Sequence, residues 1–195
     1  MAKLYFRFGA MNSGKSTALL QVAHNYEQQG MKVIVVKSCV DKKGEDQVVS
    51  RLGVTRTVDH LFGEEENIYQ YAKKWKREKI RCILVEEAQF LKEQQVFDLW
   101  RITKLYNIPV ICYGLRTTFQ GKFFVGSKPL MELADEIDEL ITVCYCGKKA
   151  RFNARKVNGV FVIEGDEVAI DGFDNVTYEP LCGYCYARKV LKLKR

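Results

Sequence analysis

The sequence predicts an α/β fold: a parallel sheet with helices on both faces, followed by a smaller unit of different character. Three observations predict it. Short β-rich runs alternate with amphipathic stretches over the first two-thirds of the chain. A glycine-rich loop ending in Lys-Ser-Thr falls between the first β-rich run and the first helical stretch. Beyond Val143 the pattern gives way to cysteines, glycines and short β-like pieces. Continuous apolar strands separated by amphipathic helices are what a sheet buried on both faces requires.

The elements can be justified in order. Residues 3–8 (KLYFRF) carry the aromatic and aliphatic side chains of a strand. Residues 16–29 read as a helix closed by Gly30, suited to the left-handed position after a helix. Residues 32–37 (KVIVVK) form the next strand, and residues 38–63, with little periodicity, are expected to be a loop. Residues 65–78 place Ile68, Tyr71, Ala72 and Trp75 at helical spacing, so the lysines among them belong to a wet face. A strand at 82–86 (CILVE), a helix at 92–106 and a strand at 110–113 (VICY) follow. Residues 114–129 hold three glycines and a proline around Phe119, Phe123 and Phe124, the composition of a functional loop after a strand. Residues 140–143 read as the last strand of the first domain, 1–143. The second domain, 144–195, has β-like stretches at 157–164 and 167–170 and a basic helical tail.

Composition sets bounds. At 195 residues, with 47% apolar and 28% charged side chains, the chain can bury a full core and carry an appended module. No apolar run reaches the length of a membrane span. A strand starting almost at the N-terminus leaves no room for a signal peptide, so a cytoplasmic location is expected. A net charge of +7 permits a polyanionic partner, but the basic residues are scattered and phosphate binding accounts for part of the excess. Of seven cysteines, Cys39, Cys82 and Cys112 stand alone and read as buried thiols. His24 and His60 suggest surface or packing roles, and Trp75 and Trp100 core positions.

Three groups of residues carry chemistry. Gly9-Ala10-Met11-Asn12-Ser13-Gly14-Lys15-Ser16-Thr17 fits the phosphate-binding loop Gly-x4-Gly-Lys-[Ser/Thr], in the strand–loop–helix context it needs. Its backbone N–H groups and the helix N-terminus would hold phosphates, Lys15 would reach the β- and γ-phosphates, and Ser16 would ligate magnesium. The chain is expected to bind a nucleoside triphosphate. Second, apolar residues 83–85 run into Glu86 and Glu87 at a strand end. Glu86 is assigned to magnesium; side chains alternate along a strand, so Glu87 should diverge toward an acceptor and take its proton. Third, Cys144 and Cys146, with Cys182 and Cys185, form two close pairs able to close a tetrahedral thiolate site. Zinc fits such a site, and with all four positions filled its role would be structural.

Taken together, these residues resemble the thymidine kinase family that includes the cytosolic vertebrate enzyme and many bacterial ones. The markers are FGAMNSGKSTALL (8–20), VEEAQF (85–90), CYGLRTTFQGKFFVGS (112–127), CYCGKKA (144–150) and YEPLCGYCY (178–186). The first three are most similar to the bacterial branch. The resemblance implies a RecA-like P-loop domain with a small zinc-bound domain whose lasso-shaped loop covers a nucleoside. It implies transfer of the γ-phosphoryl group of ATP to the 5′-hydroxyl of thymidine, a homotetramer, and feedback inhibition by thymidine triphosphate. By the same resemblance Glu87 is the catalytic base, and Glu86, Glu87, Ala88 and Gln89 join residues 9–16 at ATP. Met11, Phe90, Leu115 and Phe119 match the thymine pocket, Asn153 a further base contact, and Ile170 and Tyr178 the lasso. Three departures stand out. Glu86 replaces the usual Asp; the stretch from Ile170 to Tyr178 is longer and lacks one glycine of the usual Ile-Gly-Gly; and Cys185 stands where many bacterial relatives carry His. The rival reading is a nucleic-acid-dependent P-loop ATPase with a zinc module. A helicase closes ATP between two RecA-like domains and this chain has room for one, so no nucleic-acid or membrane partner is expected.

Overall fold

The structure is a computed structural model that describes residues 1–41, 46–166 and 175–194. In chain order these form β1 (Leu4–Phe8), α1 (Lys15–Gln28), β2 (Val33–Ser38), β3 (Gln47–Val49), β4 (Thr55–Thr57) and β5 (His60–Phe62). A 3₁₀ turn (Ile68–Tyr71) leads into α2 (Ala72–Arg77), then β6 (Cys82–Glu86), a second 3₁₀ turn (Ala88–Phe90), α3 (Glu93–Tyr106) and β7 (Val110–Gly114). After α4 (Ser127–Leu133) and β8 (Glu136–Glu139) come β9 (Thr142–Val143), β10 (Lys149–Ala150), β11 (Phe152–Val157), β12 (Val160–Val162), β13 (Val176–Leu181) and α5 (Gly183–Lys189).

Six strands join in the order β5-β2-β6-β7-β1-β8, and every pairing is parallel. Alternation along β6 shows why both faces need cover. Cys82 and Leu84 pack with Leu19, Leu20 and Ala23 of α1, whereas Ile83 and Val85 pack with Trp75 of α2, Leu99 of α3 and Leu130 of α4. Because the strands run parallel, β1, β6 and β7 all deliver their C-terminal ends to one edge, where an open α/β sheet binds its ligands.

The C-terminal residues build a separate small core. β11 is the centre of a three-stranded antiparallel sheet with β12 and β13. Cys144, Ala150, Ala154, Leu181, Cys182, Cys185 and Tyr186 pack together beside it.

Several expectations need correction. Residues 38–63 are not only loop: β3 and β4 make a small antiparallel pair and β5 extends the main sheet. These strands are three residues each and partly exposed, too short and wet to leave an apolar period. The stretch 65–78 becomes helical only at Ile68, first as a 3₁₀ turn. The expected loop 114–129 ends in α4, with Pro129 in the first helical turn, where a missing N–H costs nothing. The strand expected at 140–143 is present only at its end, as the two-residue β9, and it pairs with β10 rather than joining the main sheet. The last strand of that sheet is β8, whose acidic sequence EIDE suits an exposed edge and hides its pairing with β1. The stretch 157–164 holds the turn and second strand of the β11–β12 hairpin, and the turn, Asn158-Gly159, has positive φ at both residues (50° and 78°). Asn-Gly between apolar residues was the available signal for it. Cys39 is exposed, not buried, because it lies just beyond the C-terminal end of β2. The β-like stretch 167–170 and Ile170 lie outside the described residues.

Candidate active site

The phosphate-binding loop joins β1 to α1 across the C-terminal edge of the sheet. Gly14, at φ +78°, takes the left-handed conformation immediately before the helix, and its carbonyl accepts the first helical bond, from Ala18 N–H at 2.9 Å. Gly9 is required by space: a Cβ there would stand 2.3 Å from Ser13 Oγ and 2.5 Å from the Leu140 carbonyl oxygen. Lys15 Nζ arches back over the loop and donates to the carbonyls of Gly9 and Ala10 at 3.3 and 3.2 Å. The ammonium therefore lies over the hollow that the loop encloses.

Glu86 closes β6 on the same face of the sheet as Cys82 and Leu84, the face that α1 covers. Its Oε1 accepts a 2.5 Å hydrogen bond from Ser16 Oγ, and its buried Oε2 has no hydrogen-bond partner. Burial, then the neighbouring Glu87 charge, push this carboxyl well above the usual carboxylate range, against the Ser16 bond and the Lys15 charge. A cation brought to Ser16 and Glu86 would satisfy the orphan oxygen and stabilise the ionised form, so this pair fits a bound metal ion.

Glu87 parts from Glu86 as alternation requires, although a left-handed residue (φ 47°) aims it rather than further strand. Its Oε2 accepts a 2.6 Å bond from Gln89 Nε2. Gln89 Oε1 in turn accepts from Leu115 N–H at 3.0 Å. The amide is buried at the end of β7, where Gly114 leaves room for it: a Cβ on Gly114 would meet Gln89 Oε1 at 2.7 Å. The sequence placed Gln89 beside ATP; its amide spans Glu87 and the loop after β7.

One cavity of about 650 Å³ opens from the phosphate loop. Lys15, Ser16 and Glu87 line its polar part, and Met11, Phe90, Leu115, Phe119 and Phe124 an apolar part. Asn153 and Tyr178 reach it from the C-terminal unit, and Asn153 Oδ1 accepts Met11 N–H at 2.8 Å. Every predicted pocket residue among those described is thus brought to one cavity. Of the residues expected at the nucleotide, Asn12, Gly14 and Gln89 also line it. Gly9, Ala10, Ser13, Glu86 and Ala88 lie behind that lining, Glu86 facing a smaller recess beside Lys37 and Asp41. Sequence reasoning missed Thr117, Phe124, Asp41 and Arg51. The last two come from the segment read as an aperiodic loop, which the structure ties to the sheet in part through buried Lys37, 3.0 Å from Asp41.

The four cysteines meet as expected. Cys144 and Cys146 flank a tight turn closed by Gly147 at φ +81°. Cys182 caps α5, its sulfur accepting Cys185 N–H at 3.5 Å, a bond that lowers the Cys182 pKa. All four sulfurs lie within 4.8 Å of one another, Cys146 and Cys182 at 3.6 Å, and none is in a disulfide. One metal ion fits between them. Cys82 and Cys112, by contrast, are isolated buried thiols, Cys82 pushed up to about 12 by burial and inert as a nucleophile at neutral pH.

A family model described as thymidine kinase matches residues 2–186. The thymidine kinase of Mannheimia succiniciproducens is 43% identical, with 99% of each chain covered. That of Streptococcus pyogenes serotype M28 is 44% identical over 93% of this chain and 95% of its own. The solved Pif1 helicase from Candida albicans covers 71% of this chain and 36% of its own at 13% identity and a TM-score of 0.41, too slight a likeness to bear on fold or function.

Proposed function

Because the chain belongs to the thymidine kinase family, we propose that it transfers the γ-phosphoryl group of ATP to the 5′-hydroxyl of thymidine, giving thymidine monophosphate and ADP. The observation that carries this reading is the single cavity in which the phosphate loop, Glu87 and an aromatic pocket meet. The loop N–H groups and Lys15 hold the β- and γ-phosphates. Ser16 and Glu86 would hold magnesium, which would supply charge neutralisation at the phosphates. Glu87 accepts the proton of the 5′-hydroxyl as its oxygen bonds to the γ-phosphorus and the bond to the β–γ bridging oxygen breaks, with ADP as leaving group. Gln89 holds that carboxylate toward the cavity. Met11, Phe90, Leu115 and Phe119 surround the thymine, and Asn153 and Tyr178 approach it from the C-terminal side. A wall of this kind excludes water and favours the nucleoside hydroxyl over hydrolysis.

The reading extends to the whole chain. Residues 1–143 perform the transfer, and residues 144–195 form a module held by zinc on Cys144, Cys146, Cys182 and Cys185. Zn–S bonds of about 2.3 Å separate tetrahedral sulfurs by about 3.8 Å, and the sulfur spacing supports that ion. Ile170, outside the described residues, belongs to the same proposal as part of the lasso. Assembly as a cytoplasmic homotetramer with feedback by thymidine triphosphate is the family's expectation. No described helix is long and apolar enough to cross a membrane.

The test is ADP release from magnesium ATP, alone and with thymidine, deoxycytidine, deoxyguanosine or single-stranded DNA. Release with thymidine alone is expected. Release driven by DNA and indifferent to nucleosides would overturn the proposal.

A further inference from the structure

We propose that Arg155 is a positioning residue for the nucleoside pocket, fixing its two aromatic walls, Phe119 and Tyr178, against each other. The proposal rests on the thymidine kinase reading above. Arg155 lies on β11 directly opposite Tyr178 of β13, and it is buried at 4% exposure. Its guanidinium carbon stands 3.8 Å from the centre of the Phe119 ring and 5.4 Å from that of Tyr178. Nε donates to the Tyr178 hydroxyl at 2.9 Å, and Nη1 to the Asp166 carbonyl at 2.6 Å. One planar cation therefore joins the loop after β7, strand β13 and the chain that leaves β12.

Arginine suits this place for a physical reason. A flat guanidinium stacks on one ring while its in-plane N–H groups bond outward, so a single group fixes both the distance and the angle between two rings. Lysine carries the same charge but has neither the stacking plane nor the fork. Phe119 and Tyr178 also line the cavity, and the two rings are 59 positions apart in the chain, so no local backbone geometry sets their relation. Without Arg155 each ring would keep its own backbone support and lose its shared reference. The pocket would then hold a nucleoside less well, while the phosphate loop, whose bonds run to Lys15 and Asn153, would be unaffected.

The alternative is that Arg155 merely supports the C-terminal module. Steady-state kinetics and amide hydrogen exchange on Arg155→Met, Arg155→Lys, Tyr178→Phe and the Arg155→Met/Tyr178→Phe double variant separate the two. Arg155→Met is expected to raise KM for thymidine about tenfold and leave KM for ATP within about twofold, and Arg155→Lys to restore little of it. Tyr178→Phe, which deletes one hydroxyl, is expected to raise thymidine KM less, and the double variant no more than Arg155→Met alone, because the two share one interaction. Exchange should quicken at residues 115–121 and 175–181 and stay unchanged at 9–16. A lower melting temperature with unchanged thymidine KM and unchanged exchange at those segments would overturn the proposal. So would equal losses for thymidine and ATP. Should Arg155→Met fail to fold, Tyr178→Phe decides: an unaltered thymidine KM overturns it. A wild-type protein inactive on every nucleoside would sink the kinase reading instead, and the exchange pattern would still judge Arg155.

Discussion

Two adjacent carboxylates at the end of β6 live in different surroundings, and the different roles proposed for them rest on that difference. Glu86 is buried against Ser16 with an orphan oxygen, whereas Glu87 faces the cavity and is held by Gln89. Changing each to the isosteric amide should therefore give different losses. Glu87→Gln removes the proton acceptor and should lower turnover about 10²- to 10⁴-fold, the range of a general base, while ATP still binds. Glu86→Gln keeps the Ser16 contact in reach but removes the charge that holds magnesium. It should raise the magnesium concentration needed for half-maximal rate about tenfold or more, with part of the rate recovered at high magnesium. Magnesium titrations of ADP release, with ATP binding followed by calorimetry, check both. A Glu87→Gln protein rescued by magnesium would mean that the two assignments are interchanged.

At the scale of elements, legibility in the sequence tracked burial. β1, β2, β6 and β7 are central strands covered on both faces, so their apolar runs announced them, and the phosphate loop announced the junction of β1 with α1. β5 and β8 are the edge strands. An edge can be short, wet and charged, and both were misread for that reason. The candidate site followed the same rule. Lys15, Ser16, Glu86 and Glu87 were legible because a motif fixes their spacing, whereas Asp41, Arg51 and Thr117 reach the cavity through tertiary contacts that leave no period. Beside its pairing with β1, the β8 edge is held by a polar clamp. Asp135 accepts Leu4 N–H at 2.7 Å and pairs with Lys104 of α3, joining the start of β1, the end of α3 and the entry to β8. Partial burial works against its charge, but the bonds from Lys104 and the Leu4 amide outweigh it and hold the carboxyl below its ordinary 3.8. A depressed folded-state pKa means that the stabilisation is complete above 3.8 and lost as pH falls through the lower folded value. Asp135→Asn should thus lower the melting temperature at neutral pH by about 2–4 °C, as expected for the loss of about 1 kcal/mol. It should also make stability less steep in acid. An acid limb identical to the wild type would exclude the clamp as a contributor.

Over the whole molecule, the proposed nucleoside site draws on a small unit with little core of its own. β11 to β13 and α5 are organised around four cysteines, and they meet the larger domain at a few points next to the cavity. Tyr186 donates to the Phe119 carbonyl at 2.6 Å, and Asn153 accepts from Met11 of the phosphate loop at 2.8 Å. Among the described residues the cysteine unit reaches the site through Asn153, Arg155, Tyr178 and Tyr186, whereas Lys15, Ser16 and Glu86 belong to a sheet that buries its own core. Removing the metal should then divide the two substrates. Chelation, or Cys182→Ser, should loosen the module and raise KM for thymidine about tenfold or more, since small metal-held units lose their order with the ion. ATP binding at the phosphate loop should change far less. Metal analysis should find one zinc per chain, and returning zinc to the chelated protein should restore thymidine affinity together with thermal stability. If chelated protein stays folded and binds thymidine as before, the cysteine cluster is only a set of neighbouring thiols, and the pocket is organised without it, through contacts such as those of Asn153, Arg155 and Tyr186.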